Sequence, residues 1–378
     1  MKKIFLLIGL ISFLSCESQE TNQPESAEPI KQGPRNVILM IGDGMGLAQL
    51  QAAMTLRNGE LNVKNMEHTA FVTTHSADDY VTDSGAAGTA IATGTKTNNG
   101  TISLSPQGDT LLTLAELAKY HSLGTGLVTT CALTHATPAA FYAHELSRDE
   151  AEAIAEDLLA NTIDVAIGGG RDHFEKREDQ QNISDRLRAM NYQIAYDMEG
   201  LNAVNPGKVL GLFWEEHPPK LIEGRGDYFV PASLKAIELL SQHEKGFFLM
   251  IEASQIDWAG HANDLEYNTT ETLEFDSLIG RVLDFAAADG NTLVIVTADH
   301  ETGGLSLEQG DYEKGEIEAD FSTKRHTGIM VPLFAHGPGA YQFAGIIDNT
   351  ELFPTIADLL ELSMPEPVVL DSLQGSNP

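Results

Sequence analysis

The sequence predicts an α/β protein built as a three-layer sandwich, with a mostly parallel central sheet and helices on both faces. Uninterrupted apolar runs, such as residues 37–41 and 247–251, are typical of strands buried on both faces of a parallel sheet. Helical segments alternate with these runs, as parallel connections require. The predicted strands are 36–41, 69–74, 124–131, 163–168, 208–213, 247–252, 292–297 and 329–335. The predicted helices are 46–57, 84–93, 111–121, 149–160, 231–242, 268–288 and 351–360.

Acidic and histidine side chains stand where the apolar runs stop. Because the carboxyl ends of parallel strands meet in one crevice, we expect these side chains to converge there. Carboxylates mixed with imidazoles suit zinc, and an oxygen-rich corner suits magnesium. These residues could also have purely structural roles. Asp43, which lies between glycines, could be only a turn former, and Asp257 with His261 could be an exposed pair on one face of a helix. The candidates are Asp43, Glu252, Asp257, His261, Asp299, His300 and His326.

The segment Val81-Thr-Asp-Ser84, followed by ten residues dominated by small side chains, predicts a helix that starts at a serine. At a helix N-terminus, free backbone N–H groups and the helix dipole would stabilise an anion held against the Ser84 oxygen. The other interpretation is an ordinary capping serine, since Asp and Ser are both preferred at that position. Taken together with the seven strand-end candidates, the segment favours Ser84 as a nucleophile.

The chain resembles the alkaline phosphatases, through motifs that follow one another in the family's order between residues 36 and 361. These motifs are IGDGMG, VTDSGAAGTAIATGTKT, THATPAAFYAHELSR, IEASQIDWAGH, TADHETGG and RHTG. The resemblance implies hydrolysis of phosphate monoesters to an alcohol and inorganic phosphate, through a phosphoserine on Ser84. Arg148 stands where the family keeps an arginine that grips phosphate.

The resemblance also implies three metal ions, two zinc and one magnesium. One zinc would be held by Asp257, His261 and His326. The second would be held by Asp43, Asp299 and His300, with Ser84 as its fourth ligand. The magnesium would share Asp43 with Glu252 and Thr137.

Two substrate-binding positions depart from the best-known bacterial pattern of that family. His135 stands where many bacterial members have an aspartate near the magnesium, although animal members also carry histidine there. Trp258 stands where many bacterial members have a lysine, so this chain lacks a cation that would help to hold phosphate. A neutral imidazole adds no charge to the magnesium corner, so we expect weaker magnesium binding. The alternative for Trp258 is simple packing beside the pocket.

The amino terminus predicts export. Residues 1–15 combine Lys2 and Lys3 with a short apolar core, as in a signal peptide, and Leu14-Ser-Cys16 resembles a bacterial lipoprotein box. Residues 16–34 then form a lipid-bearing cysteine and a polar tether, and residues 35–378 form the catalytic domain. We expect a periplasmic or cell-surface protein anchored through Cys16. Cys131, the other cysteine, is then expected to be a buried small hydrophobe without a disulfide.

The charge of the chain limits its partners. With 55 acidic and 23 basic residues, the net charge is −32, so the surface should repel nucleic acid and anionic membranes. The membrane is therefore expected as a partner only through the lipid anchor, and a homodimer stays open. Residues 171–230 and the acidic loop 307–325 look like surface insertions.

Three alternatives to a phosphomonoesterase were weighed. A phosphodiesterase of the same superfamily commonly lacks the magnesium ligands that correspond to Thr137 and Glu252. The sulfatase signature around a modified cysteine or serine is missing from residues 82–90. A surface lipoprotein that only binds phosphate or zinc would need no nucleophile, so Ser84, with Arg148 and the full ligand set, argues against that alternative.

Overall fold

The computed structural model describes residues 33–160 and 163–365. Its core is a ten-stranded sheet in the order β14-β2-β13-β8-β1-β7-β3-β4-β6-β5. Four short strands pair outside this sheet, β10 with β11 and β9 with β12. The strands are β1 (Asn36–Gly42), β2 (His68–Thr73), β3 (Gly124–Ala132), β4 (Val165–Gly169), β5 (Tyr192–Ala195), β6 (Lys208–Leu212), β7 (Phe247–Ala253), β8 (Thr292–Thr297), β9 (Glu301–Thr302), β10 (Leu305–Asp311), β11 (Glu316–Phe321), β12 (His326–Thr327), β13 (Val331–His336) and β14 (Gly345–Asp348).

All the strands of the large sheet run in the same direction except β13. Strand β13 is antiparallel to both of its neighbours, β8 and β2. The central strands β1, β7 and β8 are buried along their whole length, which explains why their sequences lack a polar alternation. The start of β13 therefore lies at the same edge of the sheet as the carboxyl ends of its neighbours.

Helices flank the sheet on both faces, as the sequence predicted. None of the helices within the described residues is long and apolar enough to span a membrane. The helices are α1 (Leu47–Leu56), α2 (Ser84–Thr93), α3 (Leu114–Tyr120), α4 (Ala136–Ala139), α5 (Ala151–Ala160), α6 (Arg171–Glu175), α7 (Ile183–Ala189), α8 (Met198–Ala203), α9 (Phe229–Leu240), α10 (Gln255–Ala262), α11 (Leu265–Asp289) and α12 (Leu352–Leu359).

Helix α2 is buried at every one of its ten residues. Its sequence, Ser-Gly-Ala-Ala-Gly-Thr-Ala-Ile-Ala-Thr, contains one large side chain, so neighbouring elements approach its backbone closely. A Cβ on Gly88 would lie 3.1 Å from the Cβ of Ala140, just after α4. The helix ends at Gly94, whose φ of 71° is the left-handed conformation that glycine adopts without strain. Small residues in α2 thus bring its first turn into the middle of the fold.

Two sequence predictions need correction. Residues 171–230 are not only a surface insertion, because they supply β5 and β6, which complete one side of the large sheet. Residues 307–325 are not a loop, because β10 and β11 form an antiparallel hairpin from Leu305 to Phe321. Side chains along β11 alternate between exposed and half-buried, so its acidic residues face solvent without interrupting the pairing.

The eight predicted strands are all present, as are the seven predicted helices. The predicted leader, lipid-bearing cysteine and most of the tether fall on residues 1–32, which lie outside the described residues and stay predictions. Cys131 is buried and free, as expected.

Candidate active site

The candidate residues converge at the carboxyl edge of the large sheet. Asp43 directly follows β1, Glu252 is the last residue but one of β7, and Asp299 follows β8. His326 reaches the same edge from the other chain direction, because it precedes the antiparallel strand β13. Asp257 projects from α10, the helix that begins two residues after β7. The predicted crevice is therefore real, and it draws on separate segments of the chain.

The first cluster lies around His300 and is fully buried. The His300 Nε2 atom lies 3.5 Å from Asp43 Oδ1 and 3.3 Å from Asp299 Oδ2. The same nitrogen lies 3.2 Å from the Ser84 Oγ atom. Four ligand atoms of the kinds that zinc accepts thus surround one small space.

The second cluster lies around Asp257. The Asp257 Oδ1 atom is 3.3 Å from His261 Nε2 and 3.4 Å from His326 Nε2. The two histidine Nε2 atoms lie 3.2 Å apart. His261 and Asp257 share a face of α10 because they are four residues apart, but Asp257 is buried, so the exposed-pair alternative is wrong for this carboxylate.

The two clusters touch through their imidazole rings. The rings of His300 and His326 stack with centroids 3.5 Å apart and an angle of 20° between their planes. Each ring therefore limits the rotation of the other, and the two clusters are held in a fixed relation.

Both clusters have the dimensions of a zinc site. In a tetrahedron with zinc-to-ligand bonds of about 2.0–2.1 Å, neighbouring ligand atoms lie about 3.3–3.4 Å apart. The measured separations of 3.2–3.5 Å agree with this value. Both carboxylate oxygens of Asp43 and the Oδ2 atom of Asp299 are buried without a hydrogen-bond partner among the described residues. Unpaired buried carboxylate oxygens are costly unless a cation compensates them, so the residues fit a metal pair.

A third corner surrounds Glu252. Its Oε2 atom accepts a hydrogen bond from the Thr129 hydroxyl, whereas its Oε1 atom and the Thr137 Oγ1 atom are buried and have no partner within the described chain. These oxygens, together with Asp43, are the donor type that magnesium prefers. Cys131 and His135 also approach Glu252 closely enough to share an ion with it.

The electrostatics of the clusters reflect their burial. Burial, followed by repulsion from Asp299, raises the pKa of Asp43 well above its usual value. Burial also opposes ionisation of Asp257, but hydrogen bonds from His261 and His326 lower its pKa well below the usual value. The hydrogen bond to Asp257 raises the pKa of His261 to about 9. The protein alone therefore leaves the first cluster short of positive charge.

Ser84 is the first residue of α2, and Asp83 rather than Ser84 caps the helix. The Asp83 Oδ1 atom accepts from the Ala86 backbone N–H at 2.9 Å, which satisfies one free donor of the first turn. The capping-serine interpretation of Ser84 is thus wrong. The Ser84 hydroxyl is left to face His300, at the positive end of the helix dipole.

Arg148 is placed beside Ser84 by two hydrogen bonds. Its Nη1 atom donates to Asp83 Oδ2 at 2.8 Å, and its Nη2 atom donates to His135 Nε2 at 3.3 Å. Although burial lowers it, the Asp83 carboxylate raises the pKa of Arg148 above its usual value. Each terminal nitrogen has a second hydrogen, so a phosphate could still be bound by both.

His135 and Trp258 form one wall with His217. The ring centroids lie 5.9 Å apart for His135 and Trp258, and 4.8 Å apart for His217 and Trp258, with edge-to-face geometry in both pairs. Burial, with the neighbouring Arg148, lowers the pKa of His135 to about 3, so its ring is neutral. The neutral ring accepts from Arg148 and orients it.

Sequence reasoning missed three supporting residues. His217 follows β6 and accepts from the Ala132 backbone N–H at 3.0 Å, so it braces Trp258. Thr302 donates to Asp257, and Thr129 donates to Glu252. A single threonine or histidine in a sequence does not indicate a role at a site. Only the folded structure shows which residues these side chains contact.

A buried serine beside two carboxylate–histidine clusters, at the carboxyl edge of a mostly parallel sheet, is the arrangement of a metal-dependent hydrolase. The family model for alkaline phosphatase matches residues 34–320, and the chain belongs to the alkaline phosphatase family. Its enzyme class is accordingly that of the phosphomonoesterases.

The relatives cover almost the whole chain. Alkaline phosphatase 4 of Bacillus subtilis (strain 168) is 32% identical, over 96% of this chain and 97% of the relative. Streptomycin-6-phosphate phosphatase of Streptomyces griseus is 34% identical, over 88% of this chain and 92% of the relative. The solved alkaline phosphatase from the Antarctic bacterium TAB5 is 38% identical, with a TM-score of 0.83, over 88% of this chain and 99% of that one.

Proposed function

We propose that this chain hydrolyses phosphate monoesters through a phosphoserine intermediate on Ser84, at a site holding two zinc ions and one magnesium ion. The observation that carries the proposal is the position of the Ser84 hydroxyl. It lies at the start of a buried helix and 3.2 Å from His300, within the ligand set of the first cluster. A serine in this position is both a nucleophile and a ligand.

The donor chemistry supports the choice of metals. Asp43, Asp299 and His300 with Ser84 would hold one zinc, and the cluster around Asp257 would hold the other. The oxygens of Glu252, Thr137 and Asp43 would hold magnesium. When bound, these ions supply positive charge to the attacking and leaving oxygens and make water acidic enough to react near neutral pH. In support, a variant of the TAB5 enzyme was solved with magnesium in its M3 site.

The protein residues then perform the following steps. Arg148 binds two non-bridging oxygens of the phosphoryl group, and the N-terminus of α2 adds its dipole. Ser84 gives its proton to water and attacks phosphorus, while the bond from phosphorus to the ester oxygen breaks and the leaving alkoxide takes a proton from water to depart as the alcohol. Water then attacks the phosphoserine, which releases inorganic phosphate and restores the Ser84 hydroxyl.

The magnitude of the task explains the number of charged groups. Hydrolysis of phosphate monoesters needs accelerations up to ~10²¹, whereas one general base contributes only ~10²–10⁴. Most of the barrier reduction must therefore come from positioning and electrostatic stabilisation. A protein that only binds phosphate would not need the nucleophile.

The test compares Ser84→Ala with Ser122→Ala, a matched change at an exposed serine remote from the carboxyl edge. We expect Ser84→Ala to lose most of the activity on an aryl phosphate, retain the fold, and yield no phosphoserine when quenched in acid. The zinc and magnesium contents of both proteins are measured by inductively coupled plasma mass spectrometry. A phosphoenzyme trapped in Ser84→Ala, or full activity after exhaustive chelation, would refute the proposal. A faster rate on the matching diester would favour a phosphodiesterase.

We also propose that the protein is exported and anchored in a membrane through a lipid on Cys16. The leader and the lipoprotein-type sequence support this, although they lie outside the described residues. Cys16→Ser should move the protein from the membrane fraction to the soluble fraction without changing its turnover, because the tether precedes the catalytic domain. Mass spectrometry that finds an unmodified Cys16 in the mature protein would contradict the proposal.

A further inference from the structure

Three exposed apolar side chains, from three separate segments, lie close in sequence to the candidate active site. Within the described residues, Tyr80 and Leu146 are the two most exposed large apolar side chains, at 76% and 73%, and Ile329 is 61% exposed. We call these three side chains the apolar rim. Single exposed apolar residues need no explanation, but three around one site call for one.

Each rim residue is tied to a site residue by a short length of chain. Tyr80 precedes Ser84 by four residues and Leu146 precedes Arg148 by two. Two residues of chain span at most about 7 Å, so the Leu146 Cα atom lies within that distance of the Cα atom of Arg148, which the proposed function assigns to phosphate. Ile329 similarly follows the cluster residue at 326 by three positions.

The Tyr80 ring is positioned directly against the segment that carries His326. A Cβ on Gly328 would overlap this ring, so the ring lies on the bare backbone of the glycine. His326 is two residues before Gly328, and Thr82 is two residues after Tyr80. The His326 Nδ1 atom donates to the Thr82 carbonyl oxygen at 2.8 Å. The two segments therefore run side by side at the edge of the second cluster.

The loop that presents Tyr80 is tied down by hydrogen bonds. The Asp79 carboxylate accepts from the Val81 backbone N–H at 3.1 Å, and the Asp78 carboxylate accepts from the Asn99 N–H at 2.9 Å. The Ser76 N–H donates to the Asp79 carbonyl oxygen at 3.1 Å. An exposed ring on an ordered loop can bind a ligand with little loss of conformational freedom.

We infer that the apolar rim binds the leaving group of the substrate, and that this enzyme prefers monoesters of uncharged aromatic alcohols. The inference rests on the proposed function. Asp43, Ser84 and His300 are buried, so the organic part of an ester held there must extend outward past the surrounding segments. An aromatic ring there can stack on Tyr80 and cover apolar surface.

The charge beside two of the rim segments disfavours leaving groups that carry additional negative charge. Asp78, Asp79, Asp149 and Glu150 are exposed beside two of the rim segments, and the whole chain carries a net charge of −32. Lys324 and Arg325 are exposed beside the third segment. At Tyr80 and Leu146, the nearby carboxylates would repel a leaving group with additional negative charge, such as a nucleoside polyphosphate, but not an uncharged aromatic group.

The experiment measures the binding of two non-hydrolysable probes, phenylphosphonate and methylphosphonate, to the metal-loaded protein by calorimetry. In the wild type we expect phenylphosphonate to bind more tightly. In Tyr80→Ala this preference should fall by roughly threefold to tenfold, the range of one aromatic contact, while the affinity for inorganic phosphate stays unchanged. Tyr80→Phe should restore the preference, and kcat/KM for phenyl phosphate relative to glycerol phosphate should follow it.

The matched control is Tyr120→Ala. Tyr120 is 63% exposed, but it ends α3 just before β3 begins, at the opposite edge of the sheet. A probe preference that is the same in Tyr80→Ala and the wild type would overturn the inference. A lower oligomeric mass in solution for Tyr80→Ala than for the wild type would also overturn it, because the rim would then be an interface between copies of the chain. A wild type without phosphatase activity would instead refute the proposed function, and calorimetry would still decide the role of the rim.

Discussion

Asp83→Asn should weaken the binding of phosphate without removing the nucleophile. Asp83 joins three parts of the site, since its carboxylate accepts from the Ala86 N–H at 2.9 Å, the Gly100 N–H at 3.0 Å and Arg148 Nη1 at 2.8 Å. Asparagine can keep the capping bond through its side-chain oxygen, because Asn and Asp are equally good caps. It removes the negative charge that holds Arg148, and it replaces Oδ2, the atom that accepts from Gly100 and Arg148, by an amide nitrogen that can only donate.

The magnitude follows from the kind of hydrogen bond that is lost. Both side chains of the pair are largely buried, so the bond is not one of the weak ion pairs found at protein surfaces. A hydrogen bond to a charged group contributes about 1.5–3 kcal/mol, and this contribution is lost because an amide nitrogen cannot accept from Arg148. The loss corresponds to a roughly tenfold to 150-fold weaker affinity if all of it falls on the orientation of Arg148.

The assay is competitive inhibition by inorganic phosphate, together with urea unfolding. Asp83→Asn and Asp83→Ala should raise the inhibition constant similarly, but Asp83→Ala should lose about 1 kcal/mol more unfolding free energy, because alanine cannot cap α2. Asp197→Asn is the control, since Asp197 caps α8 by accepting from Gly200 N–H at 2.7 Å and has no arginine partner in the part of the chain that the structure describes. An inhibition constant within twofold of the wild type in Asp83→Asn would refute this reasoning.

Three further predictions concern other parts of the chain. Arg225→Met should lower the unfolding free energy by about 3–5 kcal/mol in urea titration, because Arg225 is fully buried against Glu271 and its loss leaves that carboxylate unpaired. His144→Gln should destabilise the protein more at pH 6 than at pH 9: burial lowers the pKa of His144, but the bond to Glu116 raises it overall, so its stabilisation is lost as pH rises through the folded-state pKa. His135→Asp should reduce the magnesium concentration that half-saturates the site around Glu252 in calorimetry, because the substitution adds a negative charge near that site. An unchanged magnesium titration would contradict this prediction.

The fold was largely predictable because most strands of the sheet are continuous apolar runs. The missed strands are of another kind: β5 has two of its four residues exposed or half-buried, and β14 has no buried residue. At the edges of a sheet, one face or both meet water, so the apolar signal fades although the backbone pairing continues. Hairpin β10–β11 was missed for the same reason.

The site was predictable to the extent that its residues stand at strand ends or in the family's motifs. The sequence could not show which of Asp83 and Ser84 caps α2, since both residue types suit that position. It also could not show that His217 braces Trp258, because the two lie on different segments and meet only in the folded chain. Position along the chain predicted which candidate ligands would lie together, whereas the residues that orient them could be found only from the contacts in the folded chain.

The antiparallel entry of β13 also has a consequence for how the protein folds. The two clusters need residues from Asp43, near the start of the described chain, to His326, close to its end. Contacts between positions so far apart in sequence form late and slowly, after the intervening strands are in place. Neither zinc ion of the proposed function would therefore bind tightly to a partly folded chain, and the rate at which added zinc becomes resistant to a chelator during refolding should report the completion of the native sheet. A chain shortened before β12 would lack a ligand of the second cluster.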